Sequence, residues 1–417
     1  MTPHSHPRTR TLAALAAAVP TALALILTVP TSTVASMPAR PVTAPAAGPS
    51  QVVLDWERTS FRTVFTEAVS PIPVGTLYLG FTSLAMNDAV HRARHHHGSR
   101  VAAVAQAAHD VLAEYFPASL AALDADLATS LDALPGNRFT HRGIDAGAAA
   151  ADAMIASRVD DGRDDASVVY IRDEAPGVWQ PAEGGTMLAA WLGYVDPLVL
   201  HRRVWVNGPD ALTSRDYARD YNEVRRLGSA TSTARTATQT DTALFFNSNS
   251  AIMIGEALIA RLESRPLSLR RTALLFAAMH GAMADSVITC WRLKYEVGFW
   301  RPAQAVAGAE TDGNPATHTE ADWTSLLPLP PYSDYISGHA SLTGSAAAVV
   351  RRMLGDRTRL TLHSYNTGTD RTYARLSRLE AGALNSRIWG GLHFRDAMND
   401  GYRVAHRTGA RVLAHLR

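Results

Sequence analysis

Pro331-Tyr332-Ser333-Asp334-Tyr335-Ile336-Ser337-Gly338-His339 runs without a break into an apolar, alanine-rich stretch, Ala340 to Leu354. The apolar run reads as a helix, and the residues before it supply the start. First-turn N–H groups have no intrahelical partner and the helix dipole is positive there, so a hydroxyl, a glycine and an imidazole at that end form a ready anion site. Gly338 lets the backbone approach an anion closely, and Ser337 supplies a hydroxyl donor. His339 can exchange a proton near neutral pH. Ser-Gly-His alone is equally the cap of a structural helix with an incidental histidine, so the rest of the chain decides.

Outward from this stretch the pattern is helical. Leu77, Phe81, Leu84, Ala85 and Ala89 recur at helical spacing between Thr76 and Arg92, and Arg100–Tyr115, Ala118–Leu131 and His141–Val159 repeat the pattern. From Asp160 to Gly193, Gly162, Pro176, Gly177, Pro181 and Gly184-Gly185 mark a long connection of the kind that carries substrate contacts. Helices resume over Ser214–Leu227, Thr231–Phe246 and Ser250–Leu262, and the longest runs from Leu267 to about Trp300. Strand signals are sparse. The expected fold is all-α, one domain over 51–417, with helices packed as bundles and the anion cage at their ends. His95-His96-His97 suits a basic loop between helices better than a metal tract, because three adjacent side chains cannot share one helix face.

The chain has 417 residues, 47% of them hydrophobic, ample for a large core. Forty basic against thirty-eight acidic residues leave a formal charge of +2, which gives no bulk electrostatic argument for nucleic acid or an anionic membrane. Any anion site is therefore local. Residues 1–36 read as a secretory signal, with Arg8 and Arg10 at the start, Thr11–Val29 as the apolar middle and Thr33-Val34-Ala35-Ser36 as the cleavage region. The alternative is an uncleaved anchor, against which Pro20 and the small-residue end argue. Residues 37–50, rich in Pro and Ala, read as a flexible leader, and no later stretch reads as apolar enough to span a bilayer. A secreted chain without a stable membrane anchor is the expectation. Cys290 is the only cysteine, so an intramolecular disulfide and a cysteine-rich metal site are both excluded. Its apolar neighbours Val287, Ile288 and Trp291 suit a buried, structural thiol.

Two further stretches carry cations and a histidine. In Lys294-Tyr295-Glu296-Val297-Gly298-Phe299-Trp300-Arg301-Pro302 the cations are 301 − 294 = 7 positions apart, about two helical turns, and so are expected on one face where they can hold one anion. Pro302 disfavours helix at Arg301 and puts that guanidinium at a helix end. A solvated basic stripe is the bland alternative, against which Phe299, Trp300 and Trp291 point to burial. In Ser386-Arg387-Ile388-Trp389-Gly390-Gly391-Leu392-His393, a continuous helix would point Arg387 and His393 to different faces; a break at Gly390-Gly391 would turn both inward.

Taken together, Lys294 with Arg301-Pro302, then Ser337-Gly338-His339, then Ser386-Arg387 with His393 resemble the three-part signature of the vanadium-dependent haloperoxidase and type 2 phosphatidic-acid phosphatase superfamily. Asn87-Asp88-Ala89-Val90, Tyr221-Asn222-Glu223-Val224 and Leu227-Gly228-Ser229 also look like secreted bacterial members of the haloperoxidase branch. The resemblance implies vanadate as cofactor, with Lys294, Arg301 and Arg387 neutralising its equatorial oxygens. Ser337 and the Gly338 N–H would add hydrogen bonds, and His393 would be the axial metal ligand. His339 would be the acid/base that helps load hydrogen peroxide, and Lys294 would polarise the bound peroxide for attack by halide.

The same resemblance leaves a phosphatase open, because phosphate and vanadate share charge and shape. His393 would then be a nucleophile forming a phosphohistidine, and His339 would protonate the leaving alcohol. The phosphatase signature has an acid four positions after this nucleophile, where this chain has Ala397; Asp396 is the nearest substitute. A third reading, a non-catalytic oxyanion-binding protein, leaves both histidines without a task. Trp291 matches a tryptophan that flanks the site in fungal chloroperoxidases. Tyr332 stands where chloroperoxidases have phenylalanine and algal bromoperoxidases histidine, so both are candidate pocket residues and halide preference stays open. Asp285, nine before Lys294, reads either as a carboxylate orienting a cation or as a surface group.

Overall fold

The longest helix, Leu269–Val297, is apolar all round, and every residue from Leu275 to Trp291 is buried, which is the pattern of a helix at the centre of a core. The computed structural model describes residues 48–417, so the signal segment and most of the leader lie outside the described residues. In chain order the helices are α1 (Gln51–Phe61), α2 (Ile72–His95), α3 (Arg100–Tyr115), α4 (Leu120–Asp132), α5 (Arg138–Ala156), α6 (Arg215–Gly228), α7 (Ala237–Phe245), α8 (Ser250–Ser264) and α9 (Leu269–Val297). They continue with α10 (Pro302–Ala307), α11 (Gly338–Leu354), α12 (Leu376–Trp389) and α13 (Arg395–His415). The fold is all-α, as expected. The exception is a hairpin of β1 (Leu360–Ser364) and β2 (Thr369–Tyr373), in which Leu360 pairs with Tyr373 and Ser364 with Thr369.

Helices α2, α3 and α5 pack together, α9, α11 and α13 pack together, and the contact of α2 with α9 joins the two groups. Small residues permit the close approaches. A Cβ at Gly344 of α11 would lie 2.8 Å from the Ala405 Cβ of α13, and one at Gly401 would lie 2.7 Å from the Ala340 Cβ. Several helix starts carry side-chain caps. Ser214 accepts the Tyr217 N–H, Asn249 those of Ala251 and Ile252, and Thr236 forms a capping box with Gln239.

Several expectations need correcting. The helix expected over Thr231–Phe246 begins only at Ala237, behind the Thr236 cap. The run expected to reach Trp300 stops at Val297, because Gly298 takes a left-handed conformation (φ 61°) that ends α9. α9 is also long and apolar enough to cross a bilayer by length and composition, contrary to the sequence reading; 94% of its most apolar window is buried inside the fold. Asp285 is neither a surface carboxylate nor a partner of Lys294. It is buried and accepts the N–H groups of Leu198 (2.6 Å), Val199 (3.3 Å) and Leu200 (2.9 Å), tying the long connection to α9. Burial pushes its pKa up to about 7, against these three hydrogen bonds. His95 ends α2, His96-His97 form the exposed turn after it, and all three line a surface cleft with Arg92, Arg142 and Asp145.

Candidate functional site

Ser337 is the N-cap of α11, and its hydroxyl oxygen accepts the Ala340 N–H at 3.3 Å, which leaves the hydroxyl proton free to donate. Gly338 and His339 open the helix. A Cβ on Gly338 would sit 3.1 Å from the Trp291 ring, a tight contact set by the close approach of α9. His339 meets the Ser250 hydroxyl, at the start of α8, at 3.0 Å from Nδ1 and packs edge-on to Phe246. Burial first, then the charge of Arg387, holds its pKa well below 6.5, so the imidazole is neutral at neutral pH.

Lys294 and Arg301 do not share one helix face, because α9 ends between them; Arg301 instead caps the start of α10, whose first residue is Pro302. They converge all the same. The Lys294 ammonium donates to the carbonyls of Ser333 (2.7 Å) and Asp334 (2.8 Å). The Arg301 guanidinium donates to those of Tyr332 (2.8 Å), Leu392 (2.7 Å) and Ser333 (3.3 Å). Both side chains are buried, with Tyr332 beside them: its ring centroid is 5.1 Å from the ammonium and 5.0 Å from the guanidinium. Burial pulls the Lys294 pKa down to about 7, with nearby Arg301 acting in the same direction.

The third piece behaves as its glycines predict. α12 ends at Trp389, Gly391 turns with φ 77°, and Arg387 and His393 both face one cavity. Arg387 touches Asn247 Oδ1 at 3.4 Å, and its buried Nε has no hydrogen-bond partner; burial lowers its pKa to about 10. His393 is buried, with Nδ1 2.6 Å from Asp334 Oδ1. Its pKa lies well below 6.5, first through burial and then through Arg301, Lys294, Arg387 and His339, so all four groups lie within electrostatic reach of one imidazole.

The cavity has a volume of about 280 Å³. Gly338, His339, Arg387, His393, Trp291 and Tyr332 all line it, while Lys294, Arg301 and Ser337 lie behind this lining. The Trp291 and Tyr332 rings meet with centroids 4.9 Å apart and planes tilted by 54°, and the indole N–H donates to the Leu188 carbonyl. Ser250 and Asn247, which hold His339 and Arg387, were not singled out from sequence; they lie far from the three motifs, and only the fold brings them there. Asp334, within the Pro331–His339 stretch, carries no local sequence signal of its partner His393. Asp396, the substitute considered for an orienting acid, accepts the Asp210 N–H at 3.3 Å, and His393 Nδ1 pairs with Asp334 instead.

Residues 274–417 match the family model described as the VCPO second helical-bundle domain. A stretch of 95 residues is 36% identical to vanadium chloroperoxidase of Curvularia inaequalis, covering 20% of this chain and only 15% of that protein's length. Among solved structures, the first bacterial vanadium-dependent iodoperoxidase superposes with a TM-score of 0.69 at 17% identity, over 90% of this chain and 98% of that one. An apo-type bacterial vanadium-dependent chloroperoxidase superposes with a TM-score of 0.67 at 17% identity, over 91% and 96%. The family resemblance read from the three motifs is thereby borne out, and the structural likeness extends it to the fold of nearly the whole chain.

Proposed function

For a chain whose residues 274–417 match the model of the VCPO second helical-bundle domain, we propose a vanadate-dependent haloperoxidase that oxidises halide with hydrogen peroxide to a hypohalous species. One observation carries the reading. Among the described residues two buried guanidiniums, Arg301 and Arg387, and the Lys294 amine, whose pKa burial lowers to about 7, surround the site against one acid, Asp334, whose pKa burial raises to about 7 and which is already engaged by His393. A buried cluster with surplus positive charge and an orphaned guanidinium N–H fits a bound oxyanion, because uncompensated buried charge is costly without one. The donor set therefore suits vanadate. Lys294, Arg301 and Arg387 would hold it electrostatically, Ser337 and the Gly338 N–H would hydrogen-bond to it, and His393 Nε2 would ligate it.

Vanadate, when bound, supplies a Lewis acid that activates peroxide toward halide without changing its own oxidation state. His339, neutral and held by Ser250, accepts the proton that peroxide gives up and returns one later. Lys294, behind the cavity lining, would supply positive charge toward an oxyanion held there. Trp291 and Tyr332 form the aromatic wall against which halide would approach. The signal pattern at residues 1–36 supports action outside the cell.

A specific observation favours the phosphatase as second reading. The acid missing at Ala397 is supplied from elsewhere by Asp334, so His393 has the carboxylate partner a phosphohistidine nucleophile uses. The test compares two assays on one preparation: bromide-, chloride- and iodide-dependent halogenation with peroxide after vanadate loading, and hydrolysis of an activated phosphate ester without vanadate. Halide oxidation is the expected result. Ester hydrolysis that vanadate only inhibits, with no halide oxidised at any pH, would hand the function to the phosphatase reading.

A further inference from the structure

We propose that Asp334 is a positioning residue for His393. Its carboxylate takes the Nδ1–H of the imidazole, fixes the ring plane and leaves Nε2 as the unprotonated nitrogen presented to the oxyanion cavity. This inference rests on the proposed reading of the site and states how the site is held ready.

A neutral imidazole carries one proton, so its location decides which nitrogen can bind a metal or attack a phosphorus. Asp334 Oδ1 lies 2.6 Å from Nδ1, and both residues are buried, whereas Nε2 has no hydrogen-bond partner among the described residues. The carboxylate is aimed by its own backbone. The Asp334 N–H donates to the Phe299 carbonyl at 2.9 Å, just after α9, and its carbonyl accepts the Lys294 ammonium at 2.8 Å. One residue therefore links a cation of the cage to the histidine of the cage, and neither can shift alone.

The surroundings of the second carboxylate oxygen keep it there. Oδ2 has no hydrogen-bond partner. Asp334 borders a cavity of about 10 Å³, room for one water, that Asp210, Asp220, Asp396, Tyr217 and Ala397 also line. No cation lines that cavity; burial raises the Asp334 pKa to about 7, and it is Arg301 and Lys294, on the cage side, that favour the ionised carboxylate facing the imidazole. Ala397, where an orienting acid was expected, is buried and its carbonyl accepts the Ser337 N–H at 3.0 Å, so that position joins α13 to the start of α11. The acid comes from 59 residues upstream instead. A carboxylic acid at Asp334 donating to Nδ1 would be the opposite arrangement, with the imidazole proton on Nε2 and that nitrogen unfit to ligate.

The experiment is ¹⁵N NMR on the histidine-labelled full chain, vanadate-free at neutral pH, with His393 assigned by the resonances lost in His393→Ala. The wild type should show a protonated Nδ1 and an unprotonated Nε2. Asp334→Ala should populate the other tautomer and weaken vanadate binding, read by calorimetry, by about 10- to 100-fold. Asp334→Asn, whose amide oxygen still accepts from Nδ1–H, should restore the tautomer and part of the affinity. A proton on Nε2 in the wild type would overturn the proposal, as would wild-type tautomer and affinity in Asp334→Ala. If the alanine variant does not fold, the wild-type tautomer and the asparagine variant decide. Because the tautomer is read without turnover, absence of both enzymatic activities would sink the functional reading and leave this inference to be judged separately.

Discussion

Two buried polar clusters share helix α9, and each contains a histidine and a carboxylate. In the first, between α1, α2 and α9, the Ser83 hydroxyl lies 2.8 Å from Glu57 Oε1 and 2.8 Å from His280 Nδ1, and Phe61 and Phe276 close over the ring at 5.9 Å. In the second, fourteen residues further along the same helix, Lys294 belongs to a group with Arg301, Arg387, Asp334 and His393. The first has one carboxylate and no lysine or arginine among these partners; the second has three cations against one carboxylate and opens onto a cavity of about 280 Å³. Seen singly, each is a buried histidine with an acid. Surplus charge and access distinguish the site from the structural network.

Substitutions in the two clusters should therefore fail in different ways. The largest effect is expected for His393→Ala, which should lower both halide oxidation and ester hydrolysis by on the order of a thousandfold or more while far-ultraviolet circular dichroism stays helical. Substantial residual turnover would break the assignment. Arg387→Ala removes a charge-assisted contact of about 1.5–3 kcal/mol, so vanadate affinity by calorimetry should fall roughly 10- to 150-fold. On the structural side, Glu57→Ala leaves Ser83 and His280 short of a partner. It should cost about 1–3 kcal/mol in urea unfolding while kcat per folded molecule is unchanged; a selective loss of kcat would blur the contrast between the clusters.

The smallest effect is expected at Ser250→Ala, which removes one hydrogen bond from His339, about 0.5–1.5 kcal/mol, or roughly 2- to 12-fold in kcat/KM. The pH profile sharpens this point. Burial and Arg387 hold the folded His339 pKa below 6.5, so the neutral base persists as pH falls past 6.5, and activity is lost only as pH falls through the lower folded value. An acid limb at or above 6.5 would remove His339 from the role of base.

Most of the helices were legible because a 3.6-residue apolar repeat survives without its tertiary context; α3 spans Arg100–Tyr115 as expected, and α8 departs only at its end. The end of α9 was not, because Phe299 and Trp300 continue the apolar pattern past Gly298 while the backbone has already turned. The hairpin was missed since β1 offers only five residues, Leu360–Ser364. Among site residues, the three motifs announce themselves by local spacing. Asp334, Ser250 and Asn247 act across 59, 89 and 140 positions, and no local rule reaches that far. Asp285 shows the converse: a carboxylate read against its helical neighbour Lys294 in fact serves a loop 85 to 87 residues away.

The central claim is that one cage of three cations and a histidine binds an oxyanion. It is tested most directly by calorimetric titration of vanadate into the purified chain, with and without competing phosphate, in the wild type and in Arg387→Ala. The account predicts one saturable site per chain, displaced by phosphate and weakened in the variant. No saturable binding, binding indifferent to phosphate, or the same affinity without Arg387 would contradict it.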